Sequence, residues 1–68
     1  MAFSRTLVDR LANTMLAAEG IAVIWRLHVD AAIAYRAGHP QAAAAVLEIA
    51  EAAEQTVLEH DYPAANRA

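Results

Sequence analysis

The sequence contains no cysteine, which excludes disulfide bonds and thiolate metal sites and leaves the redox compartment unspecified. It also contains no lysine: the five basic residues are all arginines, at positions 5, 10, 26, 36 and 67. Glycine and proline occur twice each, as Gly20, Gly38, Pro40 and Pro63. That is too few for long loops, and no glycine-rich phosphate cradle exists. Long apolar runs are missing as well. The most apolar stretch, Met15 to Trp25, is interrupted by Glu19 and Gly20 and closed by Arg26, well short of the roughly 20 residues a bilayer span needs. Residues 1–11 carry Arg5, Asp9 and Arg10 with no continuous apolar segment, so a secretory signal is not expected. The expectation is a soluble, cytoplasmic protein with no membrane partner.

Positive charge is scarce where it would matter for nucleic acid. The net charge is −3. Residues 1–40 balance four arginines against Asp9, Glu19 and Asp30, whereas residues 41–68 set Arg67 alone against Glu48, Glu51, Glu54, Glu59 and Asp61. No basic stripe offers the counterion-releasing surface that nucleic-acid binding requires, and direct contact with DNA or RNA is not expected. With 68 residues the chain is read as a single domain, residues 1–68. A core of this size supplies only roughly 3–5 kcal/mol, which natural chains supplement with disulfides, a metal or a partner.

What the sequence does have is helix-forming residues in amphipathic order. Gly38-His39-Pro40 is the clear punctuation: glycine suits the left-handed residue past one helix end, and proline the first turn of the next helix. A first helix is expected over about residues 5–37, with Ser4 as N-cap and Phe3 and Val8 as a hydrophobic staple. Leu11, Met15, Ala18, Ala22, Trp25, Val29 and Ala32 alternate at spacings of four and three, a heptad seam. Unbroken, this helix would be near 50 Å long at about 1.5 Å per residue. A second helix is expected over about 40–60. Its seam is Val46, Ala50, Ala53 and Val57, and its polar face carries Glu48, Glu51, Gln55 and Glu59. Residues 61–68 read as a flexible tail.

The unequal lengths predict a partner. Folded about Gly38, the second helix covers the first only back to about residue 18, leaving Leu7, Val8, Leu11, Met15 and Leu16 without a neighbour. Either the first helix breaks at Gly20 and folds back, or a second chain covers the overhang. Gly20 has no loop residues beside it and alone costs about 1 kcal/mol within a helix. The favoured expectation is therefore an all-α helical hairpin that pairs as a homodimer with a four-helix core.

Residues 28–51, with Ala31, Ala34-Tyr35, Gly38, Ala43, Leu47 and Ala50, resemble one hairpin of the tetratricopeptide repeat. Small residues stand where that family's two helices touch, and Gly38 stands at its turn. Gln55 replaces the proline that follows the family's second helix, and no second repeat is present. The resemblance implies protein binding and no chemistry.

Sites of reaction are not in evidence. Ser4, Thr6, Thr14 and Thr56 are not placed near a His–Asp arrangement, so nucleophilic catalysis has no footing. Glu-x-x-His pairs of the di-iron bundle type do not occur, and His60-Asp61 lacks a third ligand; no cofactor is expected. His28, one turn from Trp25 and Ala32, borders the apolar stripe as a boundary histidine or as a ligand contact. Arg26 and Asp30 suit a surface i,i+4 pair. Trp25 is the single tryptophan; its seam position predicts a core role, with partner contact as the alternative. The residues expected to touch a partner are Leu7, Val8, Leu11, Met15 and Trp25, together with the acidic Glu48, Glu51 and Glu59. The function expected is a non-enzymatic interaction module, an adaptor or inhibitor acting through a helical face. The alternatives are a small-ligand bundle, with His28, Trp25 and Tyr35 facing the ligand, and a subunit of a larger hetero-complex.

Overall fold

A computed structural model describes residues 5–60, which form three helices: α1 over Arg5–Glu19, α2 over Ala22–Arg36 and α3 over Pro40–His60. The expected cap Ser4, the staple residue Phe3, and the tail 61–68 lie outside the described residues. None of the described helices is long and apolar enough to cross a membrane.

The all-helical class and the turn at Gly38 follow the sequence. At the end of α2, Gly38 takes φ +91°. The His39 N–H donates to the Ala34 carbonyl at 2.9 Å and the Gly38 N–H to the Tyr35 carbonyl at 3.1 Å. This crossed pair is the Schellman closure, which satisfies two carbonyls that the helix end would otherwise leave open. Pro40 then starts α3, where its missing N–H costs nothing.

The single long helix over 5–37 is not what forms. Gly20 has φ +78°, a conformation that ends α1; its N–H still reaches the Leu16 carbonyl at 2.8 Å. α2 starts at once with two tight bonds, Val23 N–H to the Gly20 carbonyl at 3.0 Å and Ile24 N–H to the Ile21 carbonyl at 3.1 Å. A joint of two residues, Gly20 and Ile21, thus makes the break without a loop. The energetic reason is plain. The break lets α1 lie on the C-terminal half of α3, where Val8 and Ala12 become fully buried against Ala52 and Ala53. Burying one valine gives roughly 1.5–3 kcal/mol, and the break also relieves the roughly 1 kcal/mol by which glycine disfavours a helix interior. Glu19 and Arg26 strap the joint with a 2.8 Å ion pair, and Arg26 also reaches Asp30 at 3.7 Å. All three are about half exposed, so the pairs contribute less than about 1 kcal/mol each.

α2 runs antiparallel to α3, and Val23 and Leu27 pack on Ala50, with Met15, Leu16, Ile24, Val46 and Ile49 around them. Of the nine buried residues described, six are alanines; only Val8, Val23 and Leu27 are larger. Helices joined through alanine approach closely, but they bury little side chain. The break also resets the seam on α2. Val23, Leu27 and Ala31 face α3, and Trp25 is 73% exposed. The expected core role of Trp25 is therefore corrected: an indole has no room between helices that meet through Ala43 and Ala50. The premise of an uncovered overhang changes too, since Val8 is buried and Met15 and Leu16 are half-buried within the chain.

A side chain added at Gly20 would meet nothing within 4 Å, so its effect isolates the backbone term. Gly20→Ala is expected to lower stability by about 1–2 kcal/mol, the cost of a left-handed alanine. Urea unfolding followed by circular dichroism measures this; an unchanged midpoint would mean that the α1–α2 joint does not hold a positive φ in solution.

Candidate functional site

On the side of the α2–α3 hairpin away from α1, the two helices leave an apolar groove. Its main hollow, about 600 Å³, is lined by Ile21, Ile24, Trp25, His28, Glu54, Val57 and Leu58. A second hollow of about 340 Å³ continues it toward the Gly38 turn, between His28, Ala31, Ala32 and Tyr35 of α2 and Ala43 and Leu47 of α3. His28 lines both. On α2 the outward stripe Ile21, Trp25, His28, Ala32, Tyr35 repeats at spacings of four and three, which brings these residues onto one face. Its large members stand in solvent: Ile21, Trp25 and Tyr35 are each more than 60% exposed, and Leu58 across the groove is 49% exposed. That is a large apolar area on one face of so small a chain.

One polar contact spans the groove. His28 Nε2 and Glu54 Oε2 are 3.1 Å apart. A carboxylate only accepts, so the imidazole presents its N–H at Nε2. The pair joins α2 to α3 midway along the apolar face and leaves both side chains nearly half exposed.

A second, polar cleft of about 540 Å³ lies between α1 and α3, lined by Arg5, Asp9, Asn13, Glu51, Gln55, Thr56 and Glu59 among others. Arg5 approaches Asp9 at 4.0 Å, and the Gln55 amide donates to Glu59 at 3.4 Å. Thr56 Oγ1 donates back to the Ala52 carbonyl at 3.0 Å and stands 3.4 Å from Asn13 Oδ1. These contacts are local and solvated. Among the described residues no three His, Asp or Glu side chains gather as metal ligands.

The residues singled out from sequence are thus dispersed over the molecule. Trp25, His28 and Tyr35 come together along the groove. Glu51 and Glu59 face the polar cleft beside α1, while Glu48 is half-buried elsewhere on α3. On α1, Leu7 and Leu11 are 44% and 36% exposed, whereas Val8 is 1% exposed and cannot reach a partner without unfolding. Met15 packs into the core edge. Sequence reasoning missed Glu54, and with it the His28 contact. A hairpin about Gly38 sets residue 28 opposite about residue 48, so its simple register gave no signal for Glu54. That reasoning also missed Leu58, which forms a wall of the groove.

No family model matches the chain, and comparison with curated proteins and with solved structures finds no similar one.

Because His28 and Glu54 remain nearly half exposed, their mutual contribution is small. A double-mutant cycle with His28→Ala and Glu54→Ala is expected to give a coupling of roughly 0.2–1 kcal/mol in the monomer, at concentrations below any self-association, measured by chemical denaturation. A value above about 2 kcal/mol would mean that the pair is held in a far drier setting than this surface.

Proposed function

We propose that this protein is a small, non-enzymatic interaction module, a regulatory adaptor or inhibitor, that binds another protein surface through the α2–α3 groove. The observation that carries this is the apolar stripe of Ile21, Trp25, Tyr35 and Leu58, left outside a core made mostly of alanine. A helix of a partner laid in the groove would bury that stripe, with Trp25 as its anchor. The resemblance of residues 28–51 to one tetratricopeptide hairpin accords with such a role. In this reading a four-helix core arises when two helices from a partner close over α2 and α3, and a homodimer is one way to supply them. Leu7 and Leu11 form a lesser apolar patch on α1, and the acidic Glu51 and Glu59 belong to the solvated cleft. No cofactor takes part.

A second reading, ligand binding, draws on the two hollows that share His28, one walled by Trp25 and the other by Tyr35. Their walls are open and shallow on one side, which favours an elongated protein segment over a small molecule enclosed on most of its surface.

The test separates the two apolar faces. Cross-linking is carried out in the cells that make the protein, with Trp25→Ala/Leu58→Gln and with Leu7→Gln/Leu11→Gln. The groove pair is expected to lose the cross-linked products and the α1 pair to retain them, both with helical circular dichroism. Products that survive the groove pair and vanish with the α1 pair would refute the assignment.

A further inference from the structure

The groove is shaped to receive itself. Counted from His28, the outward stripe on α2 places Ile21 and Tyr35 seven residues to either side, Trp25 three before and Ala32 four after. A two-fold axis beside His28 that sets α2 antiparallel to its copy brings Ile21 to Tyr35 of the second copy and Trp25 to the Ala31–Ala32 step, within one residue of Ala32. These are unlike in size in the way packing requires. Trp25 projects from the surface, 73% exposed, whereas the exposed Ala32 sits at the mouth of the 340 Å³ hollow, floored by the buried Ala31 and Ala43. Projection and hollow are seven residues apart on one helix, about 10 Å at about 1.5 Å per residue, and the same axis brings each projection over the opposite hollow.

We infer that the occupant of the groove is a second copy of this chain, in a two-fold dimer in which each Trp25 inserts into the alanine hollow of the other copy. This rests on the reading of the groove as an interaction face and names its partner. The area agrees. Aromatic residues present roughly 150–250 Å² each, so the exposed parts of Trp25, Tyr35, Ile21, Leu47 and Leu58 sum to on the order of 600 Å² per copy. With a polar rim added, that approaches the roughly 800 Å² per partner of a specific interface. The one polar feature on the axis is already paired, since His28 and Glu54 of each copy bond to one another at 3.1 Å. Each pair keeps this hydrogen bond when the groove is covered. An interface that maps a surface onto itself is also the ordinary form of a closed dimer.

The single tryptophan makes the proposal directly readable. Full-length protein is diluted through its association range while sedimentation, tryptophan emission and acrylamide quenching are followed. On dimerisation, emission is expected to shift to shorter wavelength and quenching to fall. Trp25→Ala and, separately, Ala32→Glu are expected to weaken self-association at least about 30-fold, the scale of a hot spot. Ala32 is an exposed helical site, so Ala32→Glu retains its helical circular dichroism and reports on the interface alone. Leu11→Asp on α1 is expected to leave the dimer intact. A monomer at all concentrations with Trp25 freely quenched would overturn the dimer, yet the groove reading would stand if the cellular cross-links still depended on Trp25. A monomer with protected Trp25 would show the groove closed by the chain's own residues and overturn the proposal. A dimer that survives both groove variants but not Leu11→Asp would overturn the proposal and remove the groove's claim as the interface.

Discussion

The alanine seam of α3 is the constraint from which the rest of the structure follows. Ala43, Ala50 and Ala53 are buried, as is Ala52 on the side toward α1. Alanine costs nothing in helix propensity and lets neighbouring backbones approach, so α3 can accept a helix on each of two sides. The consequence is a thin core. Val8 and Val23 are the largest side chains that are fully enclosed. Leu27 is the one larger side chain in the buried core; the other large apolar side chains described lie at its edge or outside it. Their presence at the surface is therefore a product of the core's composition, not of a poorly formed fold.

The joint at Gly20 follows from the same seam. Only small residues on α3 allow α1 to settle closely enough for Val8 and Ala12 to lose all contact with water, and only then does a break outweigh a continuous helix. The break also frees α2 to rotate. It turns Val23, Leu27 and Ala31 inward and carries Trp25 outward, converting a continuous heptad stripe into two stripes with different duties. Met15, Leu16 and Ile24 mark the place where they meet, packed between all three helices.

The parts of the fold legible in the sequence were those set by local chemistry. Gly38 and Pro40 mark their turn through backbone geometry alone, and the α3 seam of Ala50 and Ala53 is a simple periodicity. The Gly20 joint was not legible, because a lone glycine serves equally in a helix and at a helix end, and tertiary burial decides between them. Trp25 was misplaced for a related reason: heptad spacing identifies a shared face but not which side of the helix that face meets. His28 was placed at an apolar border, where the structure has it, but its partner Glu54 lies 26 residues away and no local pattern links them.

A stripe of exposed apolar residues would be a hazard if it were featureless, since flat apolar surfaces associate without register. Here the His28–Glu54 pair interrupts it at the centre. Any partner that buries the groove has to accommodate this pair, and one that left either group unsatisfied would lose more than its apolar contacts return. Trp25 supplies the complementary element, a rigid ring with few torsions to freeze and a large area to bury. An anchor of that kind gives affinity, and a paired polar group beside it restricts what can be anchored. Under the proposed role, the two together would make selective contact the physically economical use of a chain too small to bury its own large side chains.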